Sequence, residues 1–558
     1  MTNTYNDILI GEIYMQHTTE KWQSREGFWS LVKELVRCGS ITGSEQEVQI
    51  AHYIADTLRT LPYFEQHPDA VRLHPTADNR LVVTALAKKE GATQTVILLN
   101  HFDVVNIDDY GRWKHLAFQP DELTKQFYEN KHLLPADAVK DMESGEWLFG
   151  RGTMDMKCGV AVGMMMLERA TRGAFDGNVL MLSVCDEEVN SAGMIAAVPI
   201  LLQLAEEHGL TYTACMNAEP MFARYPGDNA KYIYTGSLGK VLPGFFCCGK
   251  ESHVGEPLAG LNANLMVSHV TCEMELNVGF CEQYGDEITH PPTSLQQYDL
   301  KQGYSVQTPH KAVALFNLFL MERPLEEVVA LLLQTAKSAA ANIEQTYRTQ
   351  AARFAALQQS NPLDIHIEVL TFEELLAYAK EHHGTQAVEQ IERNVLQTRQ
   401  AGEDERDVVI RFIHDLTSLC NEKGPIIVLF FAPPYYPAVS SKRNTAVHTA
   451  VKDVINHASE QHGIDLQQLE YFTGLCDLSY IGPQTSISSI AALTGNMPLW
   501  ERVYELPLHE MAQLQIPVIN IGPVGKDAHK WTERLNIAYA EGPLPQLMHH
   551  TIEKLLAN

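Results

Sequence analysis

Hydrophobic residues follow two spacings along the first half of this chain, and each spacing predicts a type of element. Apolar residues three or four apart predict amphipathic helices, whereas short apolar runs between polar residues predict buried strands. Helices are expected over Ser44–Leu61, where Ser44 and Glu47 form a capping-box pattern, and over Cys158–Ala170 and Ala192–His208. Strands are expected at Leu81–Ala87, Thr95–Asn100, Asn178–Val184, Tyr212–Asn217 and Ile516–Ile521. This alternation predicts an α/β fold, with a mixed, largely parallel sheet covered by helices on both faces.

The pattern changes between about Ser237 and Val439. Strand-like pieces at Val241–Gly249 and Gly303–Pro309 precede a long helical region, Leu325–Gln358 and Phe372–Gln400, and a strand at Ile426–Phe431 closes it. Thr445–His462 then returns to the helical pattern of the first part. Such a shift is typical of an inserted domain. We therefore predict one α/β domain in two parts, residues 1–236 and 440–558, with residues 237–439 inserted as an α+β domain.

Composition narrows the classes of function. The chain has 558 residues, 45% of them hydrophobic, and a formal net charge of −27, which disfavours nucleic acid and anionic membranes as partners. No apolar run approaches the roughly 20 residues that span a bilayer, and the N-terminal stretch does not resemble a signal peptide. The ten cysteines include no C-x-x-C pair and are expected to be reduced, buried thiols. We expect a soluble, cytoplasmic protein without a membrane partner.

Polar residues follow the ends of several predicted strands. These are His101 and Asp103, the pair Glu187 and Glu188, Glu219, and His529 in a glycine-rich loop, together with Asp155 just before a predicted helix. In an open α/β sheet, ligands bind beyond the carboxyl ends of the strands. Imidazoles and carboxylates delivered there are the ligands of a metal centre. The sequence therefore predicts a metallohydrolase.

Each motif also has an ordinary structural explanation. His101 and Asp103 lie on the same side of an extended segment, so that Asp103 can steady a ligating His101, but the pair alone is a weak signal and more often marks a polar strand end. Asp155 alone fits a helix cap, and Glu187 with Glu188 alone fits a solvated acidic turn. His253, in the insert, would donate to an oxyanion if the insert folds over the sheet, and is otherwise a surface histidine.

The order and spacing of the motifs resemble a known family. HFDVV, GRGTMDMKCG, DEEVNSAGM, NAEP, GKESH and GPVGKDAH occur in the order seen in the M20 family of dinuclear zinc peptidases and deacylases, and the resemblance covers nearly the whole chain. Longer strings, among them YTGSLGKVLPGF, LFFAPPYYPAV and GLCDLSYIG, resemble an arginine-utilisation branch of predicted deacylases. The resemblance implies a catalytic α/β domain and an insert that acts as its lid.

The family pattern also implies roles for individual residues. One zinc ion (Zn²⁺) would be held by His101, Asp155 and Glu219, and a second by Asp155, Glu188 and His529, although Co²⁺ or Mn²⁺ suits the same ligands. Glu187 would be the general base, Asp103 the residue behind His101, and His253 the lid histidine that binds substrate. Asp477 matches an acidic position near the family's site without an assigned role.

The family's usual asparagine and arginine, which grip a substrate carboxylate, are not recognisable, and YSVQTPH stands in their place. The insert is longer than the lid of typical dimeric members and resembles that of monomeric ones, so a monomer or a homodimer is expected.

The expected activity is hydrolysis of an amide bond in a small peptide or N-acyl amino acid. Arginine catabolism is suggested by the resemblance alone. One alternative is a catalytically silent amino-acid-binding or regulatory protein on the same scaffold, against which the retained Glu187 argues. A two-metal phosphoesterase is a weaker alternative, because no phosphate-binding loop is present.

Overall fold

The computed structural model describes residues 20–225, 227–358, 363–400, 402–482 and 487–557. The chain divides into two compact units, the first comprising Met1–Ser237, Val439–Pro483 and Pro507–Asn558, and the second Leu238–Ala438 and Gln484–Leu506. Gln484–Leu506 thus groups with the second unit, whereas the sequence pattern assigned it to the α/β domain. Most of the N-terminal stretch considered above for a signal peptide lies outside the described residues.

The first unit contains an eight-stranded sheet. Its order is Val71–Pro75, Leu81–Ala87, Asn178–Val184, Gln94–His101, Thr211–Asn217, Val518–Asn520, Lys231–Tyr234 and Leu466–Leu469. The central strands pair in parallel, with Ile97 opposite Leu180 on one side and Cys215 on the other. Val71–Pro75 and Leu81–Ala87 join one edge in antiparallel register. The mixed, largely parallel sheet predicted from the sequence is therefore confirmed.

Helices pack against this sheet and bury its central strands. Every residue of Asn178–Val184 is buried, as expected of a strand covered by helices. A Cβ at Gly159 would lie 2.6 Å from the carbonyl oxygen of Ala218, so a glycine there lets a helix pack closely against the end of a central strand. The helices are Arg25–Arg37, Glu45–Arg59, Pro62–Gln66, Pro120–Glu129, Ala136–Ser144, Cys158–Thr171, Ala192–His208, Thr445–His462, Leu508–Leu514, Ile537–Glu541 and Pro543–Leu556.

The first unit also holds two small sheets. Gly525–Lys526, Arg534–Asn536 and Trp147–Phe149 form one, and Val439–Ser440 pairs with Gly236–Ser237 in the other.

The capping box predicted at Ser44 is wrong. The helix begins at Glu45, but the Ser44 side chain makes no capping hydrogen bond. The carboxylate of Glu47 instead accepts hydrogen bonds from the backbone N–H groups of Gly43 (2.7 Å) and Asp186 (2.8 Å). Glu47 is fully buried and ties the helix to the turn after Asn178–Val184.

The second unit is α+β. Its five-stranded sheet has the order Thr293–Asp299, Lys311–Leu320, Gly239–Cys248, Ile426–Tyr436 and Glu368–Thr371, and a two-stranded hairpin joins Gln283–Tyr284 to Glu287–Ile288. Its helices are Ala263–Met274, Leu325–Leu357, Phe372–His383, Thr385–Gln397, Glu405–Leu419 and Ile487–Thr494.

One prediction for this unit is wrong. Gly303–Pro309 is not a strand, because most of its residues are solvent-exposed and Gly303 has a φ of +71°. The strand lies at Lys311–Leu320, where most side chains are buried. The predicted helical region Phe372–Gln400 is helical, and Gly384, with a φ of +86°, divides it into two helices.

All ten cysteines fall within the described residues and are unpaired. In the ranges that the structure describes, every helix lacks the length or the apolar character needed to cross a bilayer.

Candidate metal centre

The sequence-predicted polar residues meet at one edge of the eight-stranded sheet. His101 ends the strand Gln94–His101 and pairs with Val184, which ends the neighbouring parallel strand. Glu187 and Glu188 follow that neighbour, and Glu219 follows the strand on the other side, Thr211–Asn217. The loop of His529 comes after Val518–Asn520, which lies parallel to Thr211–Asn217. Parallel strands end at the same edge, which explains how segments far apart in sequence converge.

Asp155 lies between the two histidines. Its Oδ1 is 3.3 Å from Nε2 of His101, and its Oδ2 is 3.3 Å from Nε2 of His529. Nε2 of His101 is also 3.4 Å from Oε1 of Glu219, and Nε2 of His529 is 2.9 Å from Oε2 of Glu188. The side chains therefore form two donor sets, and both include Asp155. His101, Asp155 and Glu219 make up one set, and Asp155, Glu188 and His529 make up the other.

Glu187 lies slightly farther from the histidines than these donors. Its Oε2 is 3.9 Å from Nε2 of His101. His101, Glu187 and Glu219 can each offer an atom within 4.8 Å of the others, and so can His101, Asp155 and Glu188. His101 is buried, whereas the His529 side chain is 51% exposed, so the centre reaches solvent on the side of His529.

The charges of this cluster are unbalanced. Within the described ranges, its carboxylates form ion pairs with the two histidines and with neither lysine nor arginine. Burial raises the pKa of Glu187, Glu188 and Glu219, and neighbouring carboxylates raise it further. Burial opposes protonation of His529, yet its contacts with Asp155 and Glu188 raise its pKa to about 11. Raised pKa values of this kind indicate an excess of negative charge, which bound divalent cations would neutralise.

Asp103 contacts both His101 and the acidic turn. Nδ1 of His101 lies 3.1 Å from the backbone oxygen of Asp103 and 3.4 Å from its carboxylate. The same carboxylate accepts hydrogen bonds from the backbone N–H groups of Glu187 (3.1 Å) and Glu188 (3.3 Å) and from the hydroxyl of Thr42 (2.8 Å). Asp103 is thus placed to fix the histidine ring and the two glutamates together.

Sequence reasoning missed the arginine that holds the acidic turn. Asp186 has a φ of +67°, which directs its side chain to Arg80, with 2.5 Å between Oδ1 and Nη1. Arg80 also lies 3.5 Å from Glu47. A charge pair this far apart in sequence has no spacing signature. The only available signal was the cost of burying three successive acids, Asp186 to Glu188.

Sequence reasoning also missed the residue that holds the Asp155 loop. Glu533 is fully buried, and its carboxylate accepts hydrogen bonds from Arg151 (2.8 Å) and from the backbone N–H groups of Met154 (3.2 Å) and Asp155 (3.4 Å). It therefore joins the loop of Asp155 to the segment just after His529. Arg151 lies within the motif GRGTMDMKCG and Glu533 lies four residues after His529, and this proximity to the motifs was the available signal.

Asp477 and His253 complete the predicted residues. Asp477 is buried at the start of a 3₁₀ turn, Asp477–Tyr480, and its charge raises the pKa of Glu187 and Glu219. Burial raises the pKa of Asp477 itself to about 7. His253 belongs to the second unit, where it is exposed and its Nδ1 accepts a hydrogen bond from Gly255 (3.0 Å). Its substrate-binding role stays a prediction.

A family model described as "Peptidase family M20/M25/M40" matches residues 97–490. The chain belongs to this family, as the motifs predicted. It is an M20-type metallopeptidase or deacylase, an enzyme that hydrolyses amide bonds.

The chain is also similar to individual proteins over most of its length. The chain is 49% identical over 536 residues to the uncharacterized protein YqjN of Bacillus subtilis (strain 168), covering 96% of this chain and 97% of YqjN. It is 32% identical over 542 residues to RocB of the same strain, covering 94% of each chain. An M20 family metallo-carboxypeptidase from Sulfolobus solfataricus, Sso-CP2, superimposes with a TM-score of 0.53 at 13% identity, over 95% of this chain and 98% of that one. At this identity the structural likeness shows the fold.

Proposed function

We propose that this protein uses two divalent metal ions to hydrolyse the amide bond of a small peptide or an N-acyl amino acid. The observation that carries the proposal is the position of Asp155, whose two carboxylate oxygens each lie 3.3 Å from a different histidine. A carboxylate shared by two donor sets is the arrangement of a two-metal hydrolytic site.

The donor sets fit the expected ions. His101, Asp155 and Glu219 would hold one ion, and Glu188 and His529 would hold the other together with Asp155. Imidazole and carboxylate ligands suit zinc, and Co²⁺ and Mn²⁺ accept the same set. We propose zinc. The absence of lysine or arginine partners for these acids, within the described ranges, supports a site that is completed by cations.

The chemistry of the reaction follows from the residues around the ions. Bound divalent ions supply Lewis acidity, which acidifies water and polarises a carbonyl group. The carboxylate of Glu187, which lies 3.9 Å from Nε2 of His101 and so farther from it than Asp155 and Glu219 do, takes the proton of the attacking water as the new C–O bond forms. It then passes this proton to the departing nitrogen as the C–N bond breaks. The carboxylate of Asp103 accepts a hydrogen bond from the backbone N–H of Glu187 and so holds Glu187 in place.

The substrate class is narrowed further by resemblance. The motifs shared with an arginine-utilisation branch of the family favour an arginine derivative, either a dipeptide or an N-acyl arginine.

The test is an activity panel with a matched inactive variant. The zinc-loaded protein is assayed against dipeptides and N-acyl amino acids, including arginine derivatives, beside the variant Glu187→Gln. Turnover by the wild type and its loss in the variant support the proposal. Tight binding of an amino acid with no turnover of any panel member would instead favour a silent binding protein.

A further inference from the structure

A second group of metal-binding side chains lies in the second unit. His383, Cys420 and Glu422 each offer one donor atom, and these atoms lie within 4.8 Å of one another. The proposed hydrolysis uses none of these residues. We propose that they bind one transition-metal ion of the zinc class, at a site separate in sequence and in ligand type from the strand-end centre.

Two helix ends bring these residues together. His383 is the last residue of Phe372–His383, and Cys420 directly follows Glu405–Leu419. The 3₁₀ turn Asn421–Lys423 then returns Glu422 to His383, with 2.8 Å between Oε1 and Nε2. Helix C-termini carry partial negative charge, so two of them at one point favour a cation.

The donor set selects the kind of ion. A thiolate with an imidazole and a carboxylate suits zinc and its neighbours, whereas Mg²⁺ and Ca²⁺ prefer oxygen ligands alone. Metal–ligand bonds of about 2.0–2.3 Å place tetrahedral donors roughly 3.3–3.8 Å apart, whereas Nε2 of His383 and Oε1 of Glu422 lie 2.8 Å apart, so these two side chains would separate slightly around an ion. The Glu422 side chain is 50% exposed and the His383 side chain 25% exposed, so both have room to adjust. Three protein donors leave a fourth position for water.

Charged and polar groups surround the three donor residues. Burial raises the pKa of the Cys420 thiol to about 11, and Glu422 adds to this effect, so the thiol by itself keeps its proton at neutral pH. A metal ion displaces that proton. The positive charge of the adjacent Lys423 partly offsets this rise in pKa, and its amine lies 3.0 Å from Glu368 and 4.5 Å from the centre of the Tyr378 ring. The Tyr378 hydroxyl donates to Glu422 at 3.0 Å and orients its carboxylate.

A simpler interpretation is a surface ion pair between His383 and Glu422 above an inert thiol. Titration of the metal-free full chain with Co²⁺ separates the two, because cobalt bound to a thiolate shows an intense near-ultraviolet charge-transfer band. The strand-end centre contains only imidazole and carboxylate donors and gives no such band. We expect the band in the wild type, and its loss in Cys420→Ser. The matched control Cys272→Ser, which alters an exposed cysteine of the same unit, should keep it.

Two further variants keep the test decisive if Cys420→Ser folds poorly. His383→Ala should weaken the cobalt affinity of this site by more than about tenfold, since even loss of a partner behind a ligand costs 10–100-fold. Asp155→Ala, which disrupts the strand-end centre, should leave the band unchanged, so this proposal is tested independently of the hydrolase. Absence of the band in the wild type, its persistence in Cys420→Ser, or an unchanged affinity in His383→Ala would overturn the proposal.

Discussion

Two groups of acidic residues in the first unit differ in their partners. In the scaffold around the centre, each of three acids faces an arginine: Asp186 faces Arg80, Glu533 faces Arg151 and Asp527 faces Arg534. At the strand ends, the acids face only histidines among the described residues: Asp155, Glu187, Glu188 and Glu219. Burying a carboxylate without a cation is costly. The difference indicates that the scaffold supplies its own positive charge, whereas the centre takes its positive charge from bound ions.

The largest loss of activity should come from removing Asp155, the carboxylate that the two donor sets share. Asp155→Ala should lower activity beyond the roughly 10²–10⁴-fold that loss of a general base costs, because both donor sets lose a ligand. Initial rates on the best panel substrate measure the effect. The control Asp176→Ala alters an exposed acid that pairs with Lys89 and should retain wild-type rates. Equal activity of the two variants would remove Asp155 from the mechanism.

The next largest loss of activity should come from replacing Glu187. This variant distinguishes the proposed general base from the acids proposed to bind metal. Glu187→Gln should lower kcat by about 10²–10⁴-fold while the bound metal content is unchanged, because Glu187 lies farther from His101 than Asp155 and Glu219 do. Metal analysis and steady-state kinetics on the same sample measure both quantities. A variant that keeps its full rate with an intact site would refute the role of Glu187, and one that loses its metal would make Glu187 a ligand.

Removing the arginine of a scaffold pair should instead lower the stability of the folded protein. Arg151→Met leaves Glu533 buried without its arginine and should lower the free energy of unfolding by about 3–5 kcal/mol. Burial raises the pKa of Glu533 to about 7, so the loss should be largest above that pH and shrink as the pH falls and the carboxyl group takes up a proton. Urea unfolding at pH 8 and pH 6 measures this. An equal loss at both pH values contradicts the charge argument.

The smallest expected effect concerns the residue behind the first histidine. Asp103→Asn should weaken metal affinity by about 10–100-fold, because the amide no longer provides a charged partner for His101. Competition with a chromogenic chelator measures the affinity. Thr42→Val removes only the hydroxyl that donates to Asp103 and should have a weaker effect in the same direction. An affinity unchanged in both variants would show that this contact does not support the centre.

Much of the first unit could be predicted because its signals are local. Asn178–Val184 and Ala192–His208 have the predicted bounds, since a central parallel strand is apolar throughout and a helix shows its own period. The candidate residues could be found because they follow those strands. The wrong prediction at Gly303–Pro309 arose where a strand-like composition lies on exposed residues.

The supporting contacts could not be predicted in this way. Arg80 meets Asp186, and Arg151 meets Glu533, only after the chain has folded, and neither pair leaves a periodic or spaced pattern in the sequence. The same holds for His383, which ends one helix, and Cys420, which directly follows another, because a third helix lies between them in the chain. Long-range charge and ligand pairing therefore needs the fold, whereas strand-end chemistry does not.

The central claim is that Asp155 joins two metal ions, and metal content tests it most directly. In a Cys420→Ser background, which removes the thiolate site inferred above, elemental analysis after metal loading and dialysis should find two ions per chain. Adding Asp155→Ala to that background should lower the content to one ion or none. Two firmly bound ions in the Asp155→Ala protein, or none in its parent, would contradict the account.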